Sequence, residues 1–348
     1  MKLPYHRPAA SLASGLICIW SVTSAIWSMP VHAQNREFSV WLEGVKSEAR
    51  QIGISEKIIK SALTVVQPVA RIIKRDRNQS EFKLTLSIYK KRVVTPKNVQ
   101  RGKRKAQQHH ELLKRISKKY GVQSRFILAI WGIETRFGAV KANVPLIPSI
   151  ATLAYDRRRS KYFRKQLISV LQMLDRGYIE QNNLLGSWAG AMGQPQFMPS
   201  SYLAYAQDFD GDGRRDIWKN TGDVLASIAN YLAEHGWRPG ITWGREATVP
   251  SHLIKILGKF SRRAAPGCRA KTSERKPLTE WQKLGVRCID NSDLPLNDLY
   301  AALVIPDGTN GKKTYLVYRN YASIMSYNCA HLYAVTVGIL SDRIGKMP

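Results

Sequence analysis

Hydrophobic positions recur at helical spacing over most of the chain, and the pattern changes near the C-terminus. Two short β-prone runs, residues 301–305 and 314–318, are separated by Pro-Asp-Gly and Asn-Gly sequences, which predict turns and a hairpin. The sequence therefore predicts an α+β protein that is mostly helical, with a small antiparallel β subdomain. Apolar residues three or four apart predict helices over about residues 38–45, 52–66, 107–120, 161–174, 223–235 and 331–344.

One further predicted helix is apolar on every side. Ser124 is expected to be its N-cap and Gly138 to follow its last turn. Residues 126–133 carry no polar side chain, a pattern typical of a helix inside a protein. Glu134 follows them, and a carboxylate there must find a partner, shift its pKa upward or open into a cleft. The helix alone leaves a structural ion pair and a functional acid equally open.

A second unusual stretch runs from Gly186 to Ser201. Its many small residues allow a close approach of the backbone to another helix or to a ligand. The aromatic Trp188 and Phe197 stand beside neutral groups such as Gln196, a combination that suits sugar rings. A tightly packed core helix remains the alternative.

The charge of the chain limits the kinds of partner that we expect it to bind. The 348 residues carry a formal net charge of +29, with 44% hydrophobic and 23% charged residues. This composition is that of a globular protein, and the charge predicts attraction to nucleic acid, an anionic membrane or an acidic polymer.

The N-terminus predicts export. Lys2 and Arg7 precede an uncharged apolar run, and small residues around Ala33 offer a cleavage site, so residues 1–33 are predicted to be a signal peptide. A retained anchor is the alternative. Ile17 before Cys18 argues against a lipoprotein. We expect a soluble periplasmic protein without an integral membrane span after cleavage, and a cell-wall partner rather than nucleic acid.

Three cysteines follow the predicted cleavage site. Export favours disulfides, and a bridge between Cys268 and Cys288 would close a modest loop. Cys329 is then expected to be a buried, unpaired residue. The cysteines and histidines show no metal-ligand spacing, which argues against a catalytic zinc.

Several ordered motifs resemble the lytic murein transglycosylase B family, from about Phe38 to the C-terminus. Ala142, Pro145 and Pro148 depart from its pattern in one loop. The matching motifs are Asp76-Arg77-Asn78-Gln79 with Glu81-Phe82, Ala129 to Gly138, Ala151 to Asp156 with Arg158-Arg159, Gly186 to Ser201, Asp208 to Gly213, Ala229 to Tyr231 with Gly236-Trp237, and Tyr327-Asn328 with Tyr333.

The resemblance implies a lysozyme-like core. It divides the mature chain into a helical subdomain at residues 34–106, the core at 107–245, a small β subdomain at 246–318 and a C-terminal helix at 319–348 that returns to the core.

The resemblance also implies a reaction. Glu134 would cleave the β-1,4 bond between N-acetylmuramic acid and N-acetylglucosamine without water, first as acid and then as base, leaving a 1,6-anhydro end. The acid needs a raised pKa, which the apolar helix would supply. No cofactor is required. Glycan strands are the expected partner, with wall-synthesis or division proteins as further candidates. A wall-binding protein that has lost catalysis is the alternative.

The resemblance also implies which residues line the cleft. Arg158 and Arg159 are placed to meet the acidic stem peptide, although packing roles remain open. Asp156 is the nearest candidate for a second acid and is expected to be an ion-pair partner instead. The other implied substrate residues are Ser187, Gln196, Phe197, Tyr231, Tyr327, Asn328 and Tyr333.

An acidic loop predicts a calcium site. Asp208, Asp210 and Asp212 fit positions 1, 3 and 5 of a calcium-binding loop, and Arg214 could offer its carbonyl. Lys219 stands where a glutamate normally closes the site. The family implies closure by a later acid, Asp223 here. A solvated turn without an ion is the equal alternative.

Overall fold

A computed structural model describes residues 31–78, 84–257, 262–308 and 311–345. Apart from its last three residues, the predicted signal peptide lies outside these ranges, as do Gln79, Glu81 and Phe82 of the first family motif and Asn310 of the predicted turn. Within the described ranges, no helix has the length and apolar character needed to cross a membrane.

The helices account for most of the described chain. They are α1 (Val31–Gln51), α2 (Glu56–Leu63), α3 (Ala70–Arg77), α4 (Leu86–Val93), α5 (Pro96–Gln108), α6 (His110–Tyr120), α7 (Ser124–Thr135), α8 (Leu146–Tyr155), α9 (Ser160–Asp175), α10 (Pro199–Tyr205), α11 (Thr221–Glu234), α12 (Ser251–Leu257), α13 (Leu278–Lys283), α14 (Arg319–Tyr327) and α15 (His331–Gly345). The strands are β1 (Val144–Pro145), β2 (Leu185–Gly186), β3 (Gly244–Thr248), β4 (Arg262–Arg263), β5 (Lys271–Thr272), β6 (Lys276–Pro277), β7 (Arg287–Cys288), β8 (Tyr300–Val304) and β9 (Thr314–Val317).

Helix α7 lies at the centre of one hydrophobic core. Every residue from Phe126 to Trp131 is at most 2% exposed. The surrounding apolar side chains come from α4, α6, α11, α14 and α15. Burial on all sides confirms that the apolar stretch is an interior helix, and it fixes the position of Glu134 at the end of that helix.

Both predicted ends of α7 are wrong by one or two residues. Gln123, not Ser124, is the N-cap, because the Ser124 hydroxyl bonds to Ser117 instead. The helix ends at Arg136, which adopts a left-handed conformation (φ 52°), followed by Phe137 (φ 60°). The reversal carries the Phe137 ring to Trp131, with the ring centroids 5.6 Å apart.

The segment before α7 also differs from its prediction. The helix predicted over residues 107–120 is divided at His109, where α5 ends and α6 begins. Gly102 lies inside α5. A Cβ there would come within 2.6 Å of Ile344, so close helix packing explains this glycine.

A second core joins the N-terminal helices to α8 and α9. Phe38, Ile59 and Leu63 from α1 and α2 pack with Ile150 of α8 and Leu167 of α9. This packing places the N-terminal helices on α8 and α9, which precede the loop at residues 186–198.

The small sheet is antiparallel, as predicted. Its strand order is β6-β8-β9-β3-β7, and the predicted hairpin is confirmed by the pairing of Leu303 with Leu316. The indole of Trp281 is fully buried against this sheet and donates a hydrogen bond to the Ala301 carbonyl at 2.9 Å.

The predicted disulfide is wrong. Cys268 bridges Cys329, whose Cα lies 5.5 Å away, and Cys288 is the free thiol. Cys329 is exposed between α14 and α15, not buried. The short separation in sequence favoured Cys288 as the partner of Cys268. Folding instead packs Cys268 on the core to which α14 and α15 contribute, next to Cys329.

Candidate active site

Glu134 stands at the end of α7, where the buried helix reaches a half-buried position. The Tyr333 hydroxyl, on α15, donates a hydrogen bond to its Oε1 at 2.6 Å. Burial raises the pKa of Tyr333 well above its usual value, and the charge of Glu134 raises it further. Tyr333 therefore stays a neutral donor that orients the carboxyl group.

An aromatic cluster extends from this carboxyl group. The rings of Tyr333 and Tyr327 are nearly parallel, with centroids 6.4 Å apart. Tyr327 in turn lies 4.8 Å from Tyr231 and 5.8 Å from Phe197. Burial, and then the charge of Glu134, raise the pKa of Tyr327. Four of the predicted substrate residues are thus brought together beside Glu134.

The tyrosines are fixed by hydrogen bonds to backbone carbonyls. Tyr327 donates to Pro195 at 2.6 Å, and Tyr231 donates to Ser326 at 2.7 Å. These bonds fix the rings as one aromatic wall, in which Phe197, Tyr231 and Tyr333 are buried and Tyr327 is half-buried.

The segment Gly186 to Met198 forms a loop of turns, which excludes the predicted alternative of a packed core helix. Gln194 ties this loop to α7: its side-chain oxygen accepts from the Trp131 indole at 2.8 Å, and its carbonyl accepts from Thr135 at 2.9 Å. Gly138 is required beside it, because a Cβ would lie 2.3 Å from the Gln194 side chain.

Ser187 and Gln196 lie on the same loop, half-buried. The Ser187 hydroxyl accepts from the Ala191 amide at 3.0 Å, and Gln196 donates to the Gly193 carbonyl at 2.9 Å. Gln196 adopts a left-handed conformation (φ 53°), a backbone strain that non-glycine residues show most often at functional sites.

Arg158 and Arg159 hold a buried acid. Both guanidinium groups contact Asp76 of α3, which is 3% exposed. Burial alone would raise the pKa of Asp76, but the hydrogen bonds and charges of the two arginines outweigh it and lower that pKa. Their side chains remain 47% and 38% exposed, so part of each faces solvent. Their contact with a stem peptide stays a prediction.

Two other predicted residues lie at the edges of these clusters. Asp156 forms an ion pair with Arg77 at 3.2 Å, which confirms its predicted role as an ion-pair partner. Asn328 is exposed at the end of α14, directly after Tyr327.

The acidic loop places three carboxylates together. Oxygens of Asp208, Asp210 and Asp212 lie within 4.8 Å of one another. The loop is already ordered by its own amides, since Asp208 accepts from Gly211 at 2.7 Å and from Gly213 at 2.9 Å. Oxygen ligands at this spacing fit the preference of calcium.

Asp223 is fully buried beneath the acidic loop. Its oxygens accept from the Phe209 amide at 2.8 Å and the Asp216 amide at 2.7 Å, which joins the two ends of the loop. Burial raises the pKa of Asp223. Asp216, at position 9 of the loop, was missed in the sequence although its spacing continues the pattern of alternate acids.

Comparison with known proteins identifies the class. A family model for the transglycosylase SLT domain matches residues 37–342. The chain belongs to this family, which confirms the predicted relation and the prediction of an enzyme of the lytic transglycosylase class.

The chain also resembles individual proteins of known sequence or structure. The chain is 34% identical over 262 residues to membrane-bound lytic murein transglycosylase B of Escherichia coli (strain K12), an alignment covering 74% of this chain but only 66% of that protein. It also resembles SltB3 from Pseudomonas aeruginosa in complex with NAG-anhNAM-pentapeptide (TM-score 0.79, 36% identity, 89% of this chain, 80% of that one).

A third relative carries a metal. Escherichia coli lytic transglycosylase Slt35 in complex with calcium matches with a TM-score of 0.72 and 29% identity, over 90% of this chain and 94% of that one. These structural matches confirm the predicted fold, a mostly helical α+β protein with a lysozyme-like core.

Proposed function

We propose that the protein cleaves the glycan strands of peptidoglycan between N-acetylmuramic acid and N-acetylglucosamine without hydrolysis. The observation that carries this proposal is the carboxyl group of Glu134, held at the end of a buried helix and oriented by Tyr333 beside an aromatic wall. The pentapeptide-bearing disaccharide bound by the relative SltB3 supports the same substrate class.

In the first step Glu134 acts as a general acid. Its proton goes to the glycosidic oxygen, the bond from that oxygen to C1 of the muramoyl residue breaks, and the N-acetyl oxygen stabilises the positive charge at C1. The hydrogen bond from Tyr333 to Oε1 orients the carboxyl group for this transfer.

In the second step the same carboxylate acts as a base. It takes the proton of the muramoyl C6 hydroxyl, and O6 bonds to C1 to close a 1,6-anhydro ring. An intramolecular hydroxyl has a large effective molarity, so it competes with water. Asp156 and Asp76 do not serve as a second catalytic acid, since both are held in ion pairs with arginines.

In this proposal the half-buried ring of Tyr327 meets the sugars, and the buried rings of Phe197 and Tyr231 pack beside it. The hydrogen-bonding partners of the sugars are Ser187, Gln196 and Asn328. Arg158 and Arg159 face the stem peptide with the part of each side chain that Asp76 leaves exposed. The enzyme acts after export to the periplasm, in line with the predicted signal peptide.

A test separates this enzyme from a catalytically silent wall-binding protein. Purified sacculi are incubated with the protein, and the masses of the soluble products are measured by mass spectrometry. The proposal predicts clearing of the suspension and fragments one water lighter than the hydrolysis products. Tight binding to sacculi without release of any fragment would establish the silent binder instead.

We further propose that the acidic loop binds a structural calcium ion through Asp208, Asp210, Asp212 and the Arg214 carbonyl. Asp223, expected from the sequence to close the site, instead braces the loop in this proposal, because both of its oxygens accept from backbone amides. The ion would offset most of the negative charge of the three adjacent carboxylates and would take no part in the reaction.

Calcium at a hundred times its dissociation constant should raise the free energy of unfolding by about 2.7 kcal/mol. The double variant Asp210→Ala/Asp212→Ala should lose that gain. A melting temperature that responds to neither millimolar calcium nor chelator would leave a solvated turn as the correct description.

A further inference from the structure

A basic cavity of about 640 Å³ lies beside the end of α7. Arg101, Arg104 and Lys105 line it from one face of α5, and Arg136 lines it from the turn that follows Glu134. Among the described residues, those that line the cavity include no carboxylate. Four cations that share one cavity repel one another unless an anion joins them.

The turn that carries Arg136 is strained. Arg136 and Phe137 are consecutive non-glycine residues with positive φ angles. Burial of the Phe137 ring against α7 explains the turn, and the same reversal brings Arg136 against α5, where Arg101 donates to its carbonyl at 3.3 Å. A glycine would adopt this conformation at lower cost, yet an arginine stands there.

The cavity is coupled to the catalytic residues. Arg136 follows Glu134 by two residues, so their Cα atoms are within about 8 Å. The Lys105 ammonium lies 5.6 Å from the centre of the Trp131 ring. The indole of Trp131 donates a hydrogen bond to Gln194, in the loop at residues 186–198. The cavity therefore lies at the same end of α7 as Glu134.

We infer that this cavity binds the free carboxylates of the stem peptide on a muramoyl residue adjacent to the scissile bond. The inference rests on the proposed function, since the peptide reaches the cavity only when the glycan occupies the cleft. Each extended residue of a stem peptide adds about 3.5 Å of reach from the sugar. Arginine forks suit carboxylates because they bind both oxygens at once.

The position of the cavity also argues against a membrane lipid as the anion that it binds. A lipid headgroup in contact with Arg136 would bring the bilayer against the end of α7 that carries Glu134. A peptide attached to the substrate would bring its carboxylates to the same end of the helix together with the glycan.

The test compares two substrates and two charge-matched variants. Glycan strands with intact stem peptides and strands stripped of peptides by an amidase are digested by the wild type, by Arg101→Gln/Arg104→Gln and by Lys57→Gln/Lys60→Gln. The last variant removes the same charge from exposed lysines on α2. The ratio of kcat/KM on peptide-bearing to peptide-free strands should fall about tenfold in the arginine variant and remain that of the wild type in the lysine variant.

A ratio within twofold of wild type in the arginine variant would overturn the inference, and so would an equal fall in both variants. Because Arg101 also bonds to the Arg136 carbonyl, Arg104→Gln alone serves as a milder variant, with an expected fall of about threefold.

A binding measurement separates this inference from the proposed reaction. Calorimetry on Glu134→Gln protein compares N-acetylglucosaminyl-1,6-anhydro-N-acetylmuramic acid with and without its tetrapeptide. Tighter binding of the peptide form, lost in the arginine variant, supports the cavity even if the wild type proves not to cleave glycan. Equal binding of both forms contradicts it.

Discussion

Two acids in this protein, Glu134 and Asp76, are held in opposite ways. Glu134 accepts a hydrogen bond from the hydroxyl of Tyr333 and lies beside stacked aromatic rings. Asp76 is buried under the guanidinium groups of Arg158 and Arg159. Both acids lie in the last turn of a helix, within motifs that match the family, but their environments prepare them for different tasks.

The difference lies in what each partner does to the proton. Two arginines hold the pKa of Asp76 low, so that acid stays ionised and serves as a structural anchor between α3 and the start of α9. A tyrosine whose own pKa is raised remains a neutral donor, which orients Glu134 without fixing it as an ion. A catalytic acid must exchange its proton, and the second arrangement allows this.

The largest expected effect separates the two acids by activity. Glu134→Gln should lower glycan cleavage by a factor of about 10² to 10⁴, because the amide can neither donate nor accept the proton. Initial rates on purified sacculi measure this, and the melting temperature should stay that of the wild type. Glu111→Gln, at an exposed position on α6, is the matched control. Activity of Glu134→Gln within threefold of wild type would remove Glu134 from the mechanism.

Asp76→Asn should instead affect stability. Loss of hydrogen bonds to two cations should cost about 1.5 to 3 kcal/mol in the free energy of unfolding, with the lower end expected because the arginines are half-exposed. Urea unfolding at pH 7 measures it, and Asp298→Asn, at an exposed position, is the control.

The pH dependence of that stability has a definite sign. Because the folded pKa of Asp76 is depressed, its contribution is present above the unfolded value of about 3.9 and is lost as the pH falls through the folded value. The gap between wild type and Asp76→Asn should therefore close on acidification. A gap of constant size down to pH 2 would show that Asp76 contributes through packing, not through its charge.

Tyr333→Phe is expected to give the smallest change, a fall in kcat of about tenfold, the value of one hydrogen bond to a charged group. The hydroxyl orients the carboxyl group through its bond to Oε1, so its loss should lower kcat and leave the melting temperature that of the wild type. Tyr300→Phe, which removes the hydroxyl of an exposed tyrosine, is the matched control. A kcat equal to that of the wild type would mean that Tyr333 only packs.

Much of this arrangement was readable in the sequence. The run of apolar residues before Glu134 predicted a buried helix because such a surface has no stable place in water. The cleft residues came from motifs, and four of them do meet beside Glu134. The β hairpin followed from turn residues whose chemistry is local.

The structural features that the sequence did not predict depend on contacts between segments that are distant in the chain. Cys329, the partner of Cys268, is 61 residues away in the sequence. No residue near Cys329 or Cys288 indicates which of the two pairs with Cys268. The break at His109 and the left-handed turn at Arg136 follow from how α5, α7 and Phe137 pack, which a pattern of single residues does not contain. Asp76 was visible in a motif, but its burial under two arginines was not.

The central claim, that Glu134 transfers the proton twice and no water enters the product, is tested most directly by digestion of sacculi in ¹⁸O-labelled water. Mass spectrometry of the released muropeptides should find 1,6-anhydro-N-acetylmuramic acid ends, one water lighter than reducing ends and free of label. Reducing ends that carry ¹⁸O as the main product would show that water is the nucleophile, and the account given for Glu134 would be contradicted.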